Sequence, residues 1–477
     1  MSTATDERSP SGLRARLLVR KPFPSTEGSG LKKVLGALDL TSLGVGAIIG
    51  TGIFVITGAA AAKYAGPGII LSFLFAGLAC AFAALAYAEV ASMIPASGSA
   101  YTYAYTAFGE LVAWIIGWVL ILEYVVATAA VAIGWSGYFV KILHNLGLEL
   151  PAMWVNAPGT APGAFINLPA ILIALAVTFV LIRGIRESVN TNTLFVVVKV
   201  LVLVMFIALT MGHINPGNWD PFLPNGFGGV MTGAATIFFA FIGFDAVSNA
   251  AEETKNPQRD LPIGILVSLG ICSAFYIVVG AIFTGIIPQK LYPELINNAA
   301  PLAFALEYIG KGWAAAILSV GAVAGITSVL VVMLMGMPRI FFAMARDGLM
   351  PKVFASVHPR FGTPHVTTIL TGVAVAVLAG LTPISAVAEL ANIGTLFAFI
   401  VVAIGAWVLR YTRPDWKRGF RIPFIPVVVV GTILSCGYLI ISLPQVTIQR
   451  FFIWMGIGLV VYFLYGIKHS VLGNSAR

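Results

Sequence analysis

The chain has 477 residues, 59% of them hydrophobic and 10% charged, with a mean hydropathy of +0.95. Water-soluble domains carry about 25% charged residues, so a soluble globule is excluded and a polytopic membrane protein is implied. The net charge of +9 is assigned to membrane topology and anionic-lipid contact, with no nucleic-acid partner, and Cys80, Cys272 and Cys436 all fall in apolar runs that give no disulfide framework.

In chain order, residues 1–37 are polar and basic, lack the apolar stretch of a signal peptide and read as a cytoplasmic tail. A membrane helix needs about 20 mostly apolar residues. On that basis twelve spans are predicted, at 39–63, 67–95, 106–142, 168–183, 188–212, 229–251, 262–287, 312–346, 364–381, 384–409, 423–443 and 451–468. Pro67, Pro95, Pro262, Pro364 and Pro423 punctuate their ends, as residues lacking an N–H should. With the N-terminus inside, the inner segments hold 22 Lys and Arg and the outer ones 5. This bias predicts a cell-membrane protein with both termini cytoplasmic.

Spans 1 and 6 are interrupted by glycine: LTSLGVGAIIGTGIFVITGAA at 40–60 and GGVMTGAATIFFAFIGFDAVSNAA at 228–251. Backbone in lipid must satisfy its own N–H and C=O groups, so a break at that depth is tolerated only where it lines a cavity or binds something. Breaks at matching places in two halves of a chain point to the substrate site of a secondary transporter. They open two five-span blocks, residues 38–212 and 213–410, of opposite orientation. The expected fold is therefore all-α and LeuT-type, a 5+5 inverted repeat with helices 1 and 6 broken. Spans 11 and 12 (411–468) are peripheral additions, and 469–477 is a cytoplasmic C-terminal tail.

An α-amino acid fits such breaks. The N-terminal end of the half-helix following Gly50-Thr51-Gly52 offers N–H groups and positive dipole to a carboxylate. The carbonyls of Ile48, Phe239, Ala240 and Ile242 can accept from an ammonium. The competing reading is that these glycines merely let helices approach, and it weighs more for Gly44 and Gly46 than for Gly50 and Gly52. Three further groups lie deep in the spans. Lys199, mid-membrane in span 5, is costly there and functional by default; it is expected to exchange a proton or to be a fixed structural cation. Glu123 either pairs with Lys199 or meets a basic substrate side chain, and it is the next candidate for proton coupling after Lys199. Asp245 either caps an unwound end or contacts a cationic ligand. Glu89 and Glu389 sit near span ends and carry no assignment. Arg339 and Arg346 with Glu252 or Glu253 form a weaker possibility for an inner gate.

The stretch Gly44 to Phe54 resembles the first-helix signature of the amino acid, polyamine and organocation (APC) superfamily. Pro95-Ala96-Ser97-Gly98-Ser99-Ala100-Tyr101 resembles its loop between helices 2 and 3. Phe238 to Asp245, Glu252 to Pro262, Arg346-Asp347-Gly348 and Asn392 to Leu396 resemble the cationic amino acid transporter branch. The resemblance implies an L-amino acid substrate, a Phe239 gate or a neighbouring aromatic one, and a lysine at Lys199 where sodium-coupled relatives hold sodium between helices 1 and 8. The resulting expectation is a proton-coupled, sodium-independent transporter of arginine, lysine or ornithine working by alternating access. The alternatives are a small neutral substrate such as alanine, or a non-transporting sensor. No nucleophile–base set, metal cluster or phosphate loop stands out, so neither an enzyme nor a cofactor is expected.

Overall fold

The computed structural model describes residues 17–21, 33–95, 98–183, 189–296, 298–361 and 363–475. Most of the tail expected at 1–37 lies outside the described residues, as do Ala96 and Ser97 of the expected loop motif and the last two residues of the C-terminal tail. Among the described residues there are helices and no strand; two isolated bridges, Leu35 with Thr254 and Val155 with Asn167, are the extended pairings.

The principal helices are α1 (Ala37–Ile48), α2 (Ile69–Met93), α3 (Ser99–Ala107), α4 (Glu110–Asn145), α5 (Leu168–Ile182), α6 (Val189–Thr210) and α7 (Gly226–Ile237). They continue with α8 (Pro257–Ile286), α9 (Gly312–Arg346), α10 (His365–Leu381), α11 (Ile384–Thr412), α12 (Ile425–Ile441) and α13 (Gln445–Val461). Eight helical stretches are long and apolar enough to cross a membrane, and α5, α10 and α12 are shorter apolar helices. The chain is a multi-pass membrane protein.

Side-chain pattern sorts these helices into a centre and a periphery. α4 packs on α9 and α11, α8 packs on α1 and α2, and α5 packs on α10. α4 and α7 are buried along most of their length, whereas α5, α6, α10 and α12 leave rows of leucine, valine and phenylalanine exposed. A helix apolar on every side is stable only inside a core or against lipid, and these rows face the bilayer.

Three span starts differ from expectation, the simplest being the twelfth, which begins at Gln445 after Pro444 rather than at 451. The third span begins as two helices, because Gly109 (φ +103°) turns the chain between α3 and α4 where the backbone of Leu18 approaches within 2.7 Å of the position a Cβ would take. The seventh begins at Pro257 rather than Pro262. Proline is favoured at a first helical position, where its missing N–H costs nothing, so Pro257 starts α8 and Pro262 sits inside it.

Candidate functional site

Both glycine-interrupted spans are broken helices. α1 ends at Ile48, Ile49 is extended (φ −73°, ψ 101°), and helix resumes in a π-turn from Gly52 to Ile56. A helix end leaves its last carbonyls without intrahelical donors. Here the carbonyls of Gly46, Ile48 and Ile49 find partners from other elements. Lys199 of α6, fully buried, donates to the carbonyls of Gly46 (2.6 Å) and Ile49 (3.0 Å) and to Ser328 Oγ of α9 (3.3 Å). Three acceptors match the three N–H bonds of an ammonium. The Tyr276 hydroxyl of α8 lies 2.9 Å from the Ile48 carbonyl and 2.7 Å from that of Ala240, sharing one proton between the two broken helices.

The second break follows a 3-10 turn, Phe238–Phe241. Ile242 is extended, Gly243 adopts φ +122°, and a 3-10 helix runs from Phe244 to Glu253. Gly243 is required twice over: its φ suits glycine, and a Cβ would lie 2.9 Å from the Ala47 carbonyl oxygen. The freed carbonyls of Ala235 and Thr236 accept from Asn392 Nδ2 of α11 at 2.7 and 3.1 Å. The Asp245 carboxylate is buried at the unwound end, beside the backbone of Gly243 and Ala246. The two breaks touch: a Cβ on Gly52 would stand 2.2 Å from the Ala240 Cα.

A cavity of about 200 Å³ opens beside this junction. Its walls are Ala47 and Leu43 of α1, Glu123, Tyr124 and Ala127 of α4, Ile242, Gly243, Asp245, Ala246 and Asn249 around the second break, and Val329, Val332 and Met333 of α9. It extends toward Leu35, Glu253 and Arg339. On the other side of the breaks the chain is closed by tight contacts, with Gly58 against Pro301, Gly66 against Pro224, and Tyr138 donating to the Phe54 carbonyl at 2.7 Å. Glu123 is 3% exposed and lies against the Thr395 hydroxyl, while its Oε2 has no hydrogen-bond partner. A buried acceptor left open in a cavity wall costs about 1–3 kcal/mol, so Glu123 is poised to receive a donor.

Residues 35–463 match the pattern of the amino acid permease family. The chain belongs to that family. It is 52% identical over 446 residues, 93% of this chain and 95% of the relative, to a branched-chain amino acid permease of Bacillus subtilis. It is 49% identical to a methylthioribose transporter of the same organism, over 96% of this chain and 99% of the relative. Against the vacuolar cationic amino acid transporter 4 of Arabidopsis thaliana it is 39% identical, over 81% of this chain and 64% of the relative. The expected APC superfamily membership therefore holds, and this is a transporter family rather than an enzyme family.

The permease brings the sequence-derived residues together unevenly. Glu123, Ile242 and Asp245 line the cavity, while Ile48, Gly50, Thr51, Gly52, Phe239 and Ala240 are buried in the junction above it. Two of the carbonyls assigned to an ammonium, those of Ile48 and Ala240, already share the Tyr276 proton, and the Phe239 carbonyl accepts from the Ile242 N–H at 3.3 Å. Lys199 pairs with carbonyls and Ser328; its pairing with Glu123 is not formed. Glu89 is buried near the end of α2 and clamped by Arg410. Glu389 accepts from Thr447 at 3.0 Å. Gly44 packs on Ser268, as the helix-approach reading holds. Sequence reasoning missed Tyr276 and Ser328, uncharged polar residues among several in largely apolar helices. It named Asn392 only within a motif.

Proposed function

We propose that this permease is a secondary active transporter of L-amino acids that works by alternating access, with the substrate's α-carboxylate and ammonium held at the two broken helices. The contact of Gly52 with Ala240 at the head of a cavity carries the reading. Eight long apolar stretches, one of which (Ala37–Met93) contains two spans, and three shorter helices support twelve crossings in a LeuT-type 5+5 arrangement plus two. The cavity's extension toward Leu35 and Arg339, with the opposite side packed shut, supports an inward-facing state in which both termini are cytoplasmic.

Lys199, caged between the first broken helix and α9, is the proposed proton-coupling group and makes transport independent of sodium. For the substrate side chain, the walls of Ala127, Val329, Val332 and Met333 favour an aliphatic group, in keeping with the branched-chain permease that is 52% identical. A second reading, a cationic substrate, is supported by the open Glu123 Oε2 and by Asp245 in the same wall. Uptake of labelled leucine, alanine, arginine and methylthioribose into vesicles containing the purified chain separates them. Leucine uptake competed by isoleucine and valine, and weakly by arginine, is the expected result. Preferential arginine uptake would move the assignment to the cationic reading, and binding without flux would make the chain a sensor.

A further inference from the structure

The loop between α11 and α12 is folded into a pocket of about 320 Å³ lined by Arg410, Pro414, Trp416, Arg418 and Arg421. Buried Glu89, one turn before the end of α2, fixes its floor. Arg410 grips Glu89 through two nitrogens, with Nε to Oε1 at 2.8 Å, and Arg418 Nε stands 3.5 Å from the same carboxylate. The Ile422 N–H donates to Glu89 Oε2 at 2.7 Å. The Arg418 guanidinium also donates to the carbonyls of Leu409, Arg413, Pro414 and Trp416, which holds the loop in a ring. One buried carboxylate thus serves two guanidiniums, and Arg421 adds a third cation at the rim with no ionic partner among the described residues. Asp415, exposed on the same loop, is the nearby acid in the chain.

What surrounds the pocket indicates its occupant. Tyr411 and Phe424, 77% and 83% exposed, stand on either side of the loop, where aromatic residues mark a membrane–water interface. α12, which begins at Ile425 just after the loop, exposes Val427, Val430, Leu434, Tyr438 and Ile441. Their spacing puts them on one helical face, so an apolar stripe leads along the helix from the basic loop.

We propose that this pocket binds the phosphate headgroup of an anionic phospholipid from the leaflet on the basic face, with the acyl chains lying along the exposed stripe of α12. A free phosphate would share the arginine chemistry but has no use for the stripe. The headgroup sits on the joint between α2, α11 and α12, because the same arginines hold Glu89.

The test is native mass spectrometry of the delipidated full chain in detergent, titrated with phosphatidylglycerol or phosphatidylcholine. Phosphatidylglycerol is expected to be retained preferentially. Arg421→Gln should weaken it about fivefold, the effect of removing about 1 kcal/mol of attraction for one interfacial cation, with phosphatidylcholine unchanged. Arg421→Lys should restore it. Arg360→Gln, an exposed cation in the loop before α10, should leave it at the parental level. Equal retention of the two lipids, no effect of Arg421→Gln, or an equal loss from Arg360→Gln would overturn the site. Displacement of the lipid by inorganic phosphate at the same concentration would show an anion pocket without lipid selectivity, and would equally overturn it.

Discussion

Tyr276 and Glu123 are the residues whose removal separates architecture from recognition. Tyr276→Phe leaves the carbonyls of Ile48 and Ala240 without their shared proton in a buried junction. An unsatisfied buried acceptor costs about 1–3 kcal/mol, so the variant should unfold at lower temperature in detergent and transport more slowly. An unchanged unfolding temperature would mean that water or the backbone replaces the hydroxyl. Glu123→Gln keeps the side-chain volume, removes the negative charge and turns one acceptor oxygen into an N–H donor. If an aliphatic substrate is native, leucine uptake should fall by less than about threefold, while any arginine uptake falls about tenfold or more, since a hydrogen bond to a charged group is worth about 1.5–3 kcal/mol. A parallel loss for both substrates would place Glu123 against the α-ammonium.

The broken helices differ sharply in what each glycine touches. A Cβ on Gly44 would meet the Ser268 side chain, Oγ at 2.3 Å and Cβ at 2.6 Å, whereas a Cβ on Gly52 would meet the Ala240 backbone at 2.2 Å, inside the contact between the two breaks. Both alanine variants should be destabilised, but Gly52→Ala should lose more uptake than Gly44→Ala, with Gly52→Val worse still; the reverse order would contradict a junction built on backbone contact. Lys199→Met removes the ties from α6 to the end of α1, and should abolish accumulation driven by a proton gradient while binding persists. Concentrative uptake equal to the parent's would leave Lys199 a structural cation.

The breaks were legible in the sequence because glycine and polar residues interrupt otherwise continuous apolar runs, and Lys199 because a charge in such a run is expensive. Tyr276 gave no signal, since tyrosine is common in apolar helices and its hydroxyl partner depends on which helix lies opposite. Glu89 carried no assignment for a related reason. Its partners Arg410 and Ile422 arrive from more than 300 residues away. The start of α8 was misplaced because Pro257 and Pro262 are both legitimate helix starts by local preference, while the loop between α11 and α12 packs at Gly419 against Gln258 in the first turn that the earlier start creates.

At the scale of the whole molecule, the packed side around Gly58, Gly66 and Tyr138 and the cavity on the other side describe one half of a transport cycle. A cycle needs a second state in which those contacts open, and a substrate that stabilises the passage between the two. The most direct measurement is the time course of L-leucine uptake into sodium-free vesicles containing the purified chain, with an inward proton gradient imposed. Saturable uptake that rises above the equilibrium level and collapses when the gradient is dissipated is the predicted result. Uptake that only equilibrates and grows linearly with leucine concentration, or leucine binding with no flux, would contradict a proton-driven alternating-access transporter.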